Sequence, residues 1–330
     1  MFKQRTLFIL GAGASKEVNI PLGTELARQI SELLHIRAGN RVGETLLKQL
    51  YDRFPVRDNA YNRAAVAIHK GVRLANSIDD FLDRHSTNNE LQLVGKAAIA
   101  RAILYAESQS SFGRNGINLD QLEDKWHMRF FRMLGAEVRV SEVVEIFKNV
   151  TFIVFNYDRC LEHFLVNALQ LVYQIPLNHA QALVSAAPII HPYGVIAPLC
   201  GDGWVPFGGA DAFEHDCSAL VANVKIFTEQ MTDKRIKQRI HEAIRLAEQI
   251  VILGFGYHDT NMELLRPPAA LKQKPLFGTA SGMSDASIQV VQRQLAAMFA
   301  GTPAAVIPSM QISDMKCAAF FDYHAKSLPG

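Results

Sequence analysis

The sequence predicts an α/β fold in which helices flank a parallel sheet and a large helical insertion interrupts the sheet. Three short apolar runs carry this prediction, because each is typical of a buried strand that ends abruptly at glycine or polar residues. These runs cover residues 6–10, 150–155 and 250–253. Helix-spaced sequence lies between them, and strands that alternate with helices favour a parallel sheet. We therefore expect a single Rossmann-like domain over residues 1–330.

The first predicted strand runs into the turn Gly11-Ala12-Gly13-Ala14-Ser15. Two glycines separated by one residue let the main chain turn sharply out of a strand and approach a ligand closely. The amides of the helix that follows can then face a pyrophosphate. Lys16 stands where the full dinucleotide motif has its third glycine. On its own, the turn fits two interpretations, a nucleotide site and a tight strand-to-helix connection.

The segment 24–147 predicts a mainly helical insertion within the domain. Leu26 and Ile30 begin a series of apolar residues at the spacing of one helix face, and similar spacing returns after Leu119. Ser77 precedes an acidic and apolar run, which is typical of a helix N-cap. No clear strand is predicted within this segment.

Three further strand ends carry the remaining candidate residues. They are followed by Asn156–Asp158, His191 and Gly254–Gly256. Because the carboxyl ends of parallel strands meet at one edge of a sheet, we expect these residues to share a rim with Gly11–Ser15. Beyond them the sequence predicts a helix over residues 284–299 and a mixed tail.

Composition and charge narrow the classes of partner. The chain has 330 residues, of which 49% are hydrophobic and 20% are charged, and its net charge is +2. Proteins that bind nucleic acids or membrane surfaces usually carry a basic field, so neither partner is predicted. The four cysteines form no Cys-x-x-Cys pair, and no metal site is expected. No apolar stretch approaches the length of a membrane span, so a cytoplasmic location is the expectation.

Asn156, Asp158 and His191 are the candidates for chemistry, and each has a structural alternative. The Asn156 amide can orient a ligand or cap the helix that follows. Asp158 can accept a hydrogen bond from a ribose hydroxyl, or its negative charge can stabilise the N-terminal end of that helix through the helix dipole. Since histidine titrates near neutral pH, His191 suits proton abstraction from a ribose hydroxyl or a water, although most histidines are structural. Cys160 is expected to pack within the helix.

Several segments resemble motifs of the sirtuin-like NAD-binding superfamily, and of its prokaryotic branch in particular. They are Gly11–Ser15 with Ile20-Pro21, Ser77–Leu82, Phe155–Asp158 with Leu161-Glu162, His191, and Leu253–Gly256 with Asp259 and Asn261. These segments follow one another in the same order as in that superfamily and extend over most of the chain.

This resemblance implies an NAD hydrolase of the anti-phage defence branch, which depletes NAD and releases nicotinamide and ADP-ribose. It implies catalytic roles for Asn156 and His191, with NAD as the substrate and no metal. The resemblance further implies a set of residues that contact NAD: Gly11, Ala12, Gly13, Ser15, Pro21, Asp158, Gly254 and Gly256. An NAD hydrolase that is active at all times would kill its host, so restraint is expected. The long helical insertion and its apolar helix faces favour a homo-oligomer, and the resemblance implies a co-encoded sensor or a HerA-type ATPase as partner.

Two departures separate the chain from the sirtuin deacylases. Those enzymes hold a zinc module on two cysteine pairs, which are missing from this sequence. The segment Asn19–Thr24 also lacks the acid and the arginine of the corresponding sirtuin motif. An NAD-dependent protein deacylase is therefore the less favoured alternative. A non-catalytic nucleotide-binding or assembly module has the same sequence features and stays open.

Overall fold

A computed structural model of the protein contains a six-stranded sheet in which all the strands are parallel. The strands are Thr6–Leu10 (β1), Val150–Val154 (β2), Ile189–Ile190 (β3), Gln249–Leu253 (β4), Leu276–Thr279 (β5) and Met310–Ser313 (β6). Their order is β3-β2-β1-β4-β5-β6, which is the order of Rossmann folds. The predicted α/β class is confirmed. The structure describes residues 2–37, 39–113, 116–209, 215–269, 271–298 and 310–328.

The described α-helices cover both faces of the sheet. They are Ala12–Lys16 (α1), Gly23–Leu33 (α2), Arg41–Arg53 (α3), Ala60–Gly71 (α4), Ile78–Arg84 (α5), Asn89–Ser108 (α6), Trp126–Leu134 (α7), Cys160–Tyr173 (α8), Leu177–Ala186 (α9), Phe227–Thr232 (α10), Lys234–Leu246 (α11), Asp259–Leu265 (α12), Asp285–Ala296 (α13) and Cys317–Tyr323 (α14). Short 3₁₀ segments cover Val72–Leu74, Leu119–Gln121, Val140–Glu145 and Cys217–Leu220. Between β1 and β2, every regular element that the structure describes is helical.

Residues of the central strands alternate between two apolar cores. Leu7 and Ile9 of β1 face the core that contains α2 to α6, α11 and α13. Phe8 and Leu10 face the opposite core, which contains α7, α8 and α14. Because helices cover both faces, this strand is buried along its whole length, and its apolar run is unbroken rather than alternating.

The helix α6 lies at the centre of the insertion. Its residues from Val94 to Leu104 are all buried, so it is packed on every side rather than along one stripe. The helix α5 begins where the sequence predicts an N-cap. The Oγ of Ser77 accepts a hydrogen bond from the N–H of Asp80 at 3.1 Å, and this prediction is confirmed.

The sequence does not predict the two strands beyond β4. β5 has Gly278 near its centre, and β6 buries only Ile312, so neither shows the long apolar run of β1. Pairing with β4 orders β5, and β5 in turn pairs with β6. The helix predicted over residues 284–299 corresponds to α13, and residue 299 lies outside the described residues. The predicted mixed tail contains β6 and α14.

The lengths and polarities of the helices and the state of the cysteines bear on two of the expectations from composition. Within the described ranges, the helices are too short or too polar to cross a bilayer. All four cysteines are free thiols, and Cys160, Cys217 and Cys317 are buried.

Candidate functional site

The predicted site residues lie at one edge of the sheet, where the strands have their carboxyl ends. Gly11 follows β1, Asn156 lies two residues beyond β2, His191 follows β3 and Gly254 follows β4. Because β1 lies between β2 and β4, its turn is adjacent to the turns that follow both neighbours. In open α/β sheets, ligands bind at this edge where the strand order reverses. We call this edge the rim.

The turns after β1 and β4 are in direct backbone contact. The N–H of Gly13 donates to the carbonyl oxygen of Gly254 at 2.8 Å, and the N–H of Gly11 donates to that of Leu253 at 3.0 Å. A Cβ atom added to Gly11 would lie 2.6 Å from the Gly254 oxygen. Glycine is therefore required for the two main chains to meet. The amides of Gly11 and Gly13 are used within the protein, which gives these glycines a structural reason beside the nucleotide-binding one.

Replacing Gly254 by alanine is expected to lower the free energy of unfolding by about 2 to 4 kcal/mol. The φ angle of Gly254 is +56°, and an added Cβ would overlap the backbone nitrogen of Ala14. Gly282 is the matched control, because its φ is +80° and nothing lies within 4 Å of an added Cβ. Urea denaturation of G254A and G282A therefore separates the clash from backbone strain. Equal losses in the two variants would contradict the close contact of the turns.

Ser15, Asn156 and Asp158 form one buried hydrogen-bond network across the ends of β1 and β2. The Nδ2 of Asn156 donates to the carbonyl oxygen of Gly11 at 3.1 Å and to the Oγ of Ser15 at 3.0 Å. The Ser15 hydroxyl donates to Oδ1 of Asp158 at 3.0 Å. Ser15, Asn156 and Asp158 are 5%, 7% and 3% exposed. The network fixes the orientation of the Asn156 amide, whose Oδ1 accepts no hydrogen bond from the described residues.

Asn156 and Asp158 each have the structural alternative of supporting the start of α8, and only Asp158 does so. Asn156 does not cap α8, because Arg159 is the N-cap residue and Oδ1 of Asn156 accepts no backbone N–H of that helix. Asp158 does support that helix, since its Oδ1 accepts the N–H of Cys160 at 3.1 Å. Burial, together with the negative charge of Glu107, raises the pKa of Asp158 to about 6, although its hydrogen bonds act in the opposite direction. A carboxyl with this pKa can exchange a proton near neutral pH.

His191 lies beside the network and pairs with Glu162 of α8. The Nε2 of His191 is 2.6 Å from Oε1 of Glu162, and its Nδ1 is 3.4 Å from the carbonyl oxygen of Asn156. The His191 and Glu162 side chains are 12% and 18% exposed. Burial lowers the pKa of His191, but the carboxylate and hydrogen bond of Glu162 raise it more, so the net shift of the pKa is upward. The site therefore favours the charged form of the imidazole.

Aromatic rings and the helical insertion cover part of the rim. The rings of Phe155 and Tyr193 are in edge contact, with centroids 5.9 Å apart, and both residues are buried. The hydroxyl of Tyr157 donates to Oδ1 of Asp79 at the start of α5. Burial raises the pKa of Asp79, against the effect of that hydrogen bond. This contact joins the insertion to Tyr157, which lies between Asn156 and Asp158 in the turn that follows β2.

The other predicted residues lie near the rim without joining the network. Ala12 is half-buried, Pro21 is buried and Gly256 is exposed. None of the three has a polar side-chain atom, so only their main chains can form hydrogen bonds with a ligand. Cys160 is buried, and burial raises its pKa well above the usual value, which fits a packed helix residue rather than a nucleophile. In the part of the chain that is described, no group of three or more His, Cys, Asp or Glu side chains is placed to hold a metal ion.

Three charged residues of this region are not predicted as site residues from the sequence. Glu162 belongs to a segment that carries the family resemblance, and its place in the first turn of α8 starts it from the same rim as Asn156. Glu107 and Arg159 form an ion pair whose atoms are 2.5 Å apart and whose side chains are 0% and 1% exposed. They are 52 positions apart, and no local signal links them.

Comparison with protein-family models and with curated proteins gives no match for this chain. A cavity of about 280 Å³ lies among α2, α3 and α4, and its lining includes Leu33, Tyr51 and Asn62. None of the residues that line this cavity belongs to a turn at the strand ends, so the cavity is separate from the rim.

Proposed function

We propose that this protein is an NAD hydrolase that cleaves the bond between nicotinamide and ribose to give nicotinamide and ADP-ribose. One observation carries the proposal. Ser15, Asn156 and Asp158 come from two different strand ends and form a single buried network, with the His191–Glu162 pair next to it. Polar side chains from separate strands converge in this way where a ligand is to be oriented.

The chemistry needs little from the protein beyond orientation, charge and an activated water. The nicotinamide ring is cationic, so it accepts the electron pair of the breaking bond and leaves as a neutral molecule without an acid. The ribose C1′ then carries the positive charge of an oxocarbenium-like state, as in glycoside hydrolysis. Water adds to C1′ and loses a proton to a base, which completes ADP-ribose.

The residues of the rim have matching roles in this proposal. The free Oδ1 of Asn156 accepts a hydrogen bond from a ribose hydroxyl or from the attacking water. His191 takes the proton of that water, and Asp158 and Ser15 hold the ribose side of the site. The main chains of Ala12 and Gly256 form the phosphate side. Pro21, which has no N–H, and the three close-packed glycines, whose N–H groups are bonded within the protein, shape that side without donating to it.

The burial of the network supports a restrained enzyme. Because Ser15, Asn156 and Asp158 are at most 7% exposed, NAD must displace part of the rim to reach them. An NAD hydrolase that is active at all times depletes its host, so restraint fits an anti-phage defence effector. In this proposal the trigger is homo-oligomer formation, a co-encoded sensor or a HerA-type ATPase.

A second candidate is a non-catalytic nucleotide-binding or assembly module. Both ring nitrogens of His191 are engaged by protein groups, which is the observation that favours it. A base needs one nitrogen free to meet its proton, so this candidate predicts NAD binding without turnover.

Product analysis distinguishes the two candidates. The purified chain is incubated with NAD, alone and with the protein encoded next to it, and the products are separated by chromatography. The hydrolase predicts equal amounts of nicotinamide and ADP-ribose. Calorimetric binding of NAD with no nicotinamide under either condition would support the non-catalytic module instead.

A further inference from the structure

We propose that Glu162 is a positioning residue for His191. Its carboxylate holds the Nε2–H of the imidazole, which leaves Nδ1 as the nitrogen that exchanges a proton during the reaction. This inference rests on the proposed NAD cleavage, in which His191 acts on a water or a ribose hydroxyl. The tautomer of His191 that it requires can be measured without any turnover.

The hydrogen-bond geometry assigns the tautomer. An ionised carboxylate can only accept hydrogen bonds, so the nitrogen that lies 2.6 Å from Oε1 of Glu162 must carry a proton. A neutral imidazole has one N–H, and Glu162 therefore places it on Nε2. The remaining lone pair is then on Nδ1, which faces the carbonyl oxygen of Asn156 at 3.4 Å.

The contact between Nδ1 and the carbonyl oxygen of Asn156 depends on the charge of His191. In the charged imidazole, Nδ1–H points to that oxygen and both ring nitrogens have an acceptor. In the neutral form, a lone pair faces the oxygen and the contact is no longer attractive. The distance of 3.4 Å is long for a hydrogen bond, so this is the weaker of the two contacts. A hydroxyl or water that donates to Nδ1 replaces it, whereas the Glu162 contact stays.

The surroundings of the pair favour this arrangement. Glu162 and Asp158 are the negative groups that act on His191, and Arg159 is the positive group that acts on Glu162. Burial raises the pKa of Glu162, but the charge and hydrogen bond of His191 lower it more, so the carboxyl is ionised at neutral pH. Its second oxygen, Oε2, is buried without a partner among the described residues. Among the described side chains, His191 is therefore the hydrogen-bond partner of the Glu162 carboxylate.

Nitrogen-15 NMR of the histidine-labelled protein tests the assignment in the absence of NAD. The His191 signals are identified by their loss in His191→Gln. In the wild type, the neutral imidazole is expected to show the Nε2–H tautomer, and the titration midpoint of His191 should lie above the ordinary value for histidine. An Nδ1–H tautomer would overturn the proposal, and this result needs no variant at the Glu162 position.

The Glu162→Gln variant then separates positioning from simple support of the fold. It keeps the size of the side chain but removes the charge, so the His191 midpoint is expected to move to lower pH. Glu123→Gln, on an exposed side chain, should leave the midpoint unchanged. If Glu162→Gln folds and leaves the midpoint at its wild-type position, the proposal is wrong.

The pH dependence of NAD cleavage gives a third measurement. A purely structural role of Glu162 would not change this dependence. His191 accepts a proton only when neutral, so the wild-type rate of NAD cleavage is expected to rise with pH through the midpoint measured by NMR. In Glu162→Gln this rise moves to lower pH, and the plateau falls about tenfold or more because the tautomer is less fixed. A different result is the Nε2–H tautomer in a folded wild type that releases no nicotinamide, either alone or with the protein encoded next to it. That result would reject the proposed function while upholding the Glu162–His191 contact.

Discussion

Replacing Glu107 by alanine is expected to lower the free energy of unfolding by about 3 to 5 kcal/mol. Glu107 and Arg159 are almost fully buried, and Oε1 of Glu107 accepts hydrogen bonds from both the backbone N–H and the Nε of Arg159 at 3.0 Å. Oε2 accepts from Nη2 of Arg159 at 2.5 Å and from the N–H of Gly208 at 3.0 Å. Without Glu107, the guanidinium stays buried with no counter-charge.

The loss at Glu107 is expected because this one carboxylate ties three parts of the chain together. It joins α6 of the insertion to the residue that precedes α8 and to the loop that contains Val205 and Gly208. Urea denaturation followed by circular dichroism measures the effect, with the exposed Glu123→Ala as the control. A loss below 1 kcal/mol in Glu107→Ala would contradict the assignment of this pair as a buried tie.

Replacing Asn156 by alanine is expected to reduce the rate of NAD cleavage by about 100-fold or more. The change removes the free Oδ1 that orients the water or the ribose hydroxyl. It also removes the donor that holds Ser15 in place. Small losses of alignment at a reacting centre have effects of this size, because the reacting atoms must meet within a narrow range of distance and angle.

The exposed Asn178 gives the matched control for this variant, since Asn178→Ala removes the same group from the surface of α9, outside the buried network. Rates of nicotinamide release are compared at saturating NAD, and thermal unfolding confirms that each variant is folded. A folded Asn156→Ala protein with the wild-type rate would show that the network is structural and that the catalytic groups lie elsewhere.

Much of the fold is predictable from the sequence because the central strands carry their own signal. The runs that form β1, β2 and β4 are apolar, short and ended by glycine or asparagine, so local chemistry is enough to identify them. β5 and β6 differ, since they are ordered by pairing with strands already in place. A strand that depends on its neighbours leaves little trace in a single sequence.

The candidate site shows the same division. The sequence predicts that Asn156, His191 and the glycine turns share a rim, because parallel strands bring their carboxyl ends together. It does not predict which side chains touch. The pairing of His191 with Glu162 depends on the direction in which α8 leaves the rim, and the contact of Asp79 with Tyr157 depends on how the insertion folds back.

The most direct test of the account is the amount of nicotinamide that the wild type, His191→Ala and Asn156→Ala release from the same NAD solution, each in the presence of the protein encoded next to the chain. His179→Ala, an exposed histidine variant, serves as the control. We expect the wild type and His179→Ala to release nicotinamide and ADP-ribose in equal amounts, and the two rim variants to release about 100-fold less or lower still. Nicotinamide release by folded His191→Ala and Asn156→Ala at the wild-type rate would contradict the proposed site.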